Sequence, residues 1–123
     1  MTVPLPRTKL SEGYMADIPR LAVYGTLAPG KPNHHRLADL EGRWIAGSVL
    51  GQLADRGWGA ALGYPGLILK DNGDAIAVQV LESHDLTANW ERLDAFEGAG
   101  YRRVRTWVDV GEERLEAWIY VLA

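Results

Sequence analysis

The stretch Tyr101-Arg102-Arg103-Val104-Arg105-Thr106-Trp107-Val108-Asp109-Val110 alternates from Arg103 onward in the manner of a strand. Val104, Thr106, Val108 and Val110 fall on one face of an extended chain, and Arg103 and Arg105 fall on the other. Gly111-Glu112 follows as a turn, and Leu115 to Leu122 returns as a second strand. That second strand becomes apolar on both faces near its end, the pattern of a strand buried within a sheet. The C-terminal quarter of the chain therefore reads as an antiparallel pair with one member placed centrally.

Working outward, Leu21-Ala22-Val23-Tyr24 is a short apolar run stopped by Gly25. Trp44 to Leu53 reads as a strand in which Gly47 and Gly51 mark bends or close approaches. Leu67-Ile68-Leu69 and Ala75 to Glu82 flank Asp71-Asn72-Gly73-Asp74, which has the composition of a hairpin turn. Asn33 is placed to cap a short helix through about Leu40, and Asp85 to cap one from Leu86 to about Glu97 that Gly98 and Gly100 end. About six strands and two short helices in this order predict an α+β chain. Short strands with glycine bends suit a small, mostly antiparallel barrel or a strongly curled sheet.

The chain has 123 residues, 47% apolar and 24% charged, which fits one domain with a core of its own. It contains no cysteine, so thiol catalysis, disulfides and cysteine–metal sites are excluded. The net charge of −3 lacks the basic excess of a nucleic-acid binder. Of three histidines, His34 and His35 point apart on a helix and His84 is isolated, which speaks against a metal set. Residues 1–19 carry Pro4, Pro6, Pro19 and scattered charge and read as a tail; the domain is expected over 20–123. The tail lacks the roughly 7–15-residue apolar core of a secretory signal. No run approaches the roughly 20 apolar residues of a membrane span. A soluble, cytoplasmic protein is the expectation, with no membrane or nucleic-acid partner.

Two features bear on chemistry. With Leu86 set at zero on a helical wheel, Trp90, Leu93 and Glu97 fall at about 40°, 340° and 20°. Glu97 thus continues an apolar stripe, where burial and the C-terminal end of the helix dipole both raise a carboxyl pKa. The other reading ends the stripe at Leu93 and lets Glu97 swing into solvent. The second feature is Tyr24-Gly25-Thr26-Leu27, where a strand runs into glycine and a tight loop. Such a loop can aim successive N–H groups at one anion, or it can simply turn the chain. Arg102, Arg103 and Arg105 read as a solvated strand face or as anion-steering groups. The five tryptophans read as packing groups, or one or two of them line a cavity.

Several segments taken together resemble the gamma-glutamylcyclotransferase-like family, in particular its small bacterial and gamma-glutamylamine-cyclotransferase-type members. They are Val23-Tyr24-Gly25-Thr26-Leu27 with Pro29-Gly30, Pro32-Asn33-His34, Tyr64-Pro65-Gly66-Leu67, Leu93-Asp94-Ala95-Phe96-Glu97-Gly98 with Tyr101-Arg102-Arg103, and Ala117-Trp118-Ile119-Tyr120. They follow one another in the family's order from about Arg20 to the C-terminus. The resemblance implies a small mixed barrel with helices at its edge. It also implies release of 5-oxoproline and a free amine from a small gamma-glutamyl compound, without a cofactor. By position it makes Glu97 the acid/base, has the backbone of Tyr24, Gly25, Thr26 and Leu27 hold the substrate, and places Tyr120 beside the cavity. A module that binds a small metabolite in the same cavity without chemistry, or an interaction protein with a vestigial cavity, stands as the alternative.

Overall fold

The computed structural model describes residues 18–123; the tail expected over 1–19 lies, up to residue 17, outside the described residues. Among the described residues six strands are present: β1 (Arg20–Val23), β2 (Arg43–Ala54), β3 (Gly66–Leu69), β4 (Asp74–Glu82), β5 (Tyr101–Val110) and β6 (Glu113–Leu122). The helix α1 spans Trp90–Glu97, and short 3₁₀ turns occupy His34–Arg36, Trp58–Leu62 and His84–Asn89. Strand order is β3-β2-β4-β1-β6-β5, and β5 returns to β2 through Ser48 and Asp109. β2, β4, β1, β6 and β5 therefore close into a five-stranded barrel. The β1–β6 pair is parallel and the other pairs are antiparallel, so the barrel is mixed.

The alternating stretch forms β5, paired with β6 from Tyr101↔Leu122 to Val110↔Glu113. β6 lies between β5 and β1, as its two apolar faces require. Period-two alternation on β1, β4 and β6 feeds two cores. Ala22, Val80, Ile119 and Val121 fill the barrel interior with Val49, Val78 and Val108. Leu21, Val23, Leu81 and Tyr120 face outward against Leu37, Leu86 and Leu93 of the helical layer. Fully burying one such aliphatic chain stabilises by roughly 1.5–3 kcal/mol, so the outer layer fixes α1 firmly against the barrel.

Three local expectations are corrected. The Asp71–Asp74 turn does not fold β3 back on β4: both strands run antiparallel to β2, and Gly51 is the register partner of both Leu69 and Asp74. Glycine is required there, since a Cβ on Gly73 would lie 2.4 Å from the Gly51 carbonyl oxygen. The helix ending at Glu97 begins as a 3₁₀ turn capped by Ser83, whose Oγ accepts from Asp85 N at 3.1 Å. Asp85 instead accepts from Glu41 N at 2.8 Å and ties that turn to the segment before β2. Asn33 makes no side-chain cap, and only a single 3₁₀ turn follows it.

At one end of the barrel Glu82 accepts from Arg20 Nε and Arg43 Nε, each at 2.8 Å, and so links β1, β2 and β4. Burial raises its pKa, but the hydrogen bonds and charges of Arg43 and Arg20 outweigh that and hold it below the ordinary value.

Candidate functional site

β1 leaves the barrel at Val23, and the loop that follows is held by its carbonyls. Gly25 O accepts from Ala28 N at 3.1 Å, Thr26 O from Asn33 N at 2.8 Å, and Leu27 O from His34 Nδ1 at 3.0 Å. A carbonyl can only accept, so His34 carries its proton on Nδ1. A trans peptide points its N–H opposite its C=O. Tying the carbonyls of Gly25 and Thr26 therefore turns the N–H groups of Thr26 and Leu27 the other way. Among the described residues neither N–H has an acceptor, although Thr26 and Leu27 are 6% and 4% exposed. A buried donor left unpaired costs about 1–3 kcal/mol, and both residues line the cavity described below.

Tyr24 fastens the same loop. Its hydroxyl donates to Tyr120 O at 2.8 Å and accepts from Leu67 N at 3.1 Å, joining the exit of β1 to β6 and β3. Burial, followed by smaller effects, raises its pKa well beyond that of a free phenol, so it stays protonated.

Glu97 closes α1. The stripe does continue to it: Leu93 is 0% exposed and Glu97 8%, so the side chain does not swing into solvent. Leu86 belongs to the preceding 3₁₀ turn rather than to α1. Gly98, with φ of +79°, ends the helix while its N–H bonds to Asp94 O at 3.0 Å. Burial without a compensating cation pushes the Glu97 carboxyl up to about 7.

Tyr120 reaches the site from β6. Its hydroxyl donates to Asp94 Oδ1 at 2.6 Å, and Arg103 grips Asp94 through Nε at 2.8 Å and its second guanidinium nitrogen at 3.2 Å. The Arg103 guanidinium carbon lies 4.2 Å from the Trp90 ring centroid and 4.6 Å from that of Trp118. The hydrogen bond from Arg103 is the main cause holding Asp94 below its usual value. The basic cluster is therefore not a uniform solvated face: Arg103 is an internal anchor, while Arg105 lies 3.9 Å from Glu116.

All six residues singled out in the sequence, Tyr24, Gly25, Thr26, Leu27, Glu97 and Tyr120, line one cavity. It encloses about 410 Å³ including its open mouth. Trp58, Tyr64, Pro65 and Tyr101 complete the wall. Trp58 Nε1 donates to Glu97 O at 2.9 Å, and the indole packs edge-on against Phe96 and Tyr101. Sequence reasoning missed Trp58, which lies in a glycine-rich loop without period, and Asp94, whose charge reads as solvated. It also gave His34 no part in holding the loop. The matching segments Pro32-Asn33-His34 and Leu93-Asp94-Ala95-Phe96-Glu97 were the signals available for His34 and Asp94. Among the described residues no three His, Asp or Glu side chains come together as a metal set, and no helix is long and apolar enough to cross a membrane.

Comparison with known proteins bears on this cavity. Residues 21–123 match the family described as gamma-glutamyl cyclotransferase, AIG2-like. The fold is similar to that of an AIG2-like protein from Mus musculus, with a TM-score of 0.66 and 24% identity over 86% of this chain and 78% of that one. It is similar to YkqA from Bacillus subtilis, with a TM-score of 0.66 and 28% identity over 85% of this chain but only 36% of YkqA. An uncharacterized protein from Pyrococcus horikoshii gives a TM-score of 0.60 and 27% identity over 85% of this chain and 77% of that one. No curated protein matches the sequence.

Proposed function

The chain belongs to the AIG2-like gamma-glutamyl cyclotransferase family, and from that premise we propose that it converts a gamma-glutamyl amine to 5-oxoproline and the free amine. The observation that carries this reading is the pairing of opposite capacities in one cavity: a carboxyl poised near 7, and two buried N–H donors with no acceptor among the described residues.

The reaction needs little else. Glu97, as carboxylate, takes a proton from the substrate's α-ammonium group. The freed nitrogen attacks the γ-carbonyl carbon of the same molecule, forming the ring C–N bond. The oxyanion collapses, the bond to the departing nitrogen breaks as protonated Glu97 gives its proton to that nitrogen, and the regenerated carboxylate takes the second proton from the ring nitrogen and passes it to the free amine, which leaves as ammonium. A carboxyl with a pKa near the working pH is suited to both transfers. Nucleophile and electrophile share one chain, so most of the gain comes from folding the glutamyl group into a near-attack shape. The N–H groups of Thr26 and Leu27 supply donors for the substrate carboxylate or for the oxyanion. In this reading Tyr120, whose only O–H proton is given to Asp94, presents lone pairs to the cavity and accepts from the substrate amine.

The test is Glu97→Gln, assayed by 5-oxoproline release from a panel of gamma-glutamyl amines. Release by the wild type and its loss in a folded variant is the expected result. Undiminished turnover in the variant overturns the role of Glu97. Thermal stabilisation by the panel without any 5-oxoproline assigns the cavity to binding alone.

A further inference from the structure

We infer that Trp58 builds the subsite for the departing amine, and that this amine carries an aromatic or bulky apolar group. The inference rests on the cyclisation proposed above and adds the substrate class.

Depth orders the cavity. Tyr120, Leu27 and Glu97 are 5%, 4% and 8% exposed, which we take to mark its floor, whereas Trp58 is 38% exposed, which we take to mark its mouth. The proposed anion donors and the acid/base both lie at the floor, so the glutamyl group sits there. Whatever hangs from its γ-nitrogen must extend past Trp58.

The mouth is chemically one-sided. Its wall is made of the Trp58, Tyr64 and Tyr101 rings with Pro65, and among the described residues Glu97 is the only acidic or basic side chain lining the cavity. Leu62, on the same 3₁₀ turn as Trp58, is 55% exposed and adds to the apolar surface of that turn. The Lys31 ammonium lies 5.9 Å from the Tyr64 ring centroid, which places positive charge at the rim against a cationic amine.

Trp58 is also held in place. Its Nε1 bonds to Glu97 O, and its ring meets Phe96 at 5.2 Å and Tyr101 at 6.1 Å between centroids. Gly57, with φ of +87°, lets the backbone press against Tyr101, where a Cβ would meet the hydroxyl at 2.3 Å. A large aromatic surface that is fixed yet partly exposed at a cavity mouth is preorganised to receive an apolar group. Its bond to the Glu97 carbonyl sets that group next to the residue that protonates the departing nitrogen.

The experiment compares three gamma-glutamyl amides with identical glutamyl parts: the benzylamide, the ethylamide and the 4-aminobutylamide. The wild type is expected to favour the benzylamide over the ethylamide by about tenfold or more in kcat/KM, chiefly through KM, and to use the cationic amide least. In Trp58→Ala the benzylamide-to-ethylamide ratio should fall to about one, and Trp58→Phe should restore part of it. An unchanged ratio in Trp58→Ala, or no preference in the wild type, overturns the inference. Should Trp58→Ala fail to fold, Trp58→Leu takes its place. If the wild type releases no 5-oxoproline from any amide, the cyclisation reading fails by itself. Calorimetric binding of the benzylamide then decides the subsite: about tenfold weaker binding to the variant upholds it, and equal binding refutes it.

Discussion

Glu97 makes the protein less stable as the pH rises, and Glu97→Gln removes this contribution. Unfolded, the carboxyl gives up its proton near 4.5; folded, it holds the proton up to about 7. Between those values the folded chain carries a proton that the unfolded chain has lost, so each step upward in pH favours unfolding. Above 7 the full difference is in place, about 3 kcal/mol by the usual conversion from pKa to free energy. Glutamine keeps the shape and cannot ionise. Its intrinsic effect on packing is the same at every pH, so the change with pH isolates the charge. The variant should exceed the wild type by less than about 1 kcal/mol at pH 5 and by about 3 kcal/mol at pH 8, once any constant offset is subtracted. For a chain of this length the gap at pH 8 is on the order of 10 °C in Tm. Urea melts at both pH values, followed by tryptophan fluorescence, measure it directly. A gap that stays constant from pH 5 to pH 8 refutes the argument that burial holds the proton on Glu97.

Three other outcomes follow from the same geometry. A Cβ built on Gly25 meets nothing within 4 Å, so Gly25→Ala should keep stability within about 0.5 kcal/mol. Its methyl group would come between substrate and loop backbone, and steady-state assays should show KM raised by about tenfold. Tyr24→Phe strips the partner from Leu67 N and Tyr120 O and should cost about 2 kcal/mol in urea denaturation; a midpoint equal to the wild type would contradict the bridging role. Arg103→Met releases Asp94 and loosens Tyr120, lowering kcat by about tenfold in a folded protein, and Arg103→Lys should not rescue it because an ammonium reproduces neither the fork nor the stacking.

What could be read from sequence depended on whether the deciding contacts were periodic. β5 and β6 were legible because alternation and a two-residue turn fix a register locally. Glu97 was legible because three- and four-residue spacing places it on the face of Leu93, and burial followed. The Asp71–Asp74 turn was misread because the turn composition reports only a reversal or step in the chain, whereas the partner strand was decided at Gly51, about twenty residues away. Asp85 was read as the cap of the helix that ends at Glu97, but the cap is Ser83, and Asp85 has a tertiary partner in Glu41 N instead. Arg103 and Asp94 each look like surface charges, and only the β5–α1 packing joins them.

The two carboxylates of α1 show why the site needs that hidden pair. Asp94 and Glu97 are three residues apart on the last turns of one helix, yet their environments drive them in opposite directions. Asp94 is about half exposed and is held ionised by Arg103 and by the Tyr120 hydroxyl. Glu97 is buried and has burial alone acting on it, so it stays protonated toward neutrality. A cation at Glu97 would stabilise the carboxylate and leave it too weak a base to take and return a proton near pH 7. An unpaired anion beside it would push it higher still. Arg103, which lies over the Trp90 and Trp118 rings, is ion-paired with Asp94 and cancels its charge locally. Tyr120 thus receives its orientation from a neutralised pair, and the field at Glu97 is left to the apolar wall. The arrangement separates two tasks that one carboxylate could not perform together: Asp94 fixes a hydroxyl by remaining charged, and Glu97 exchanges a proton by being easily discharged.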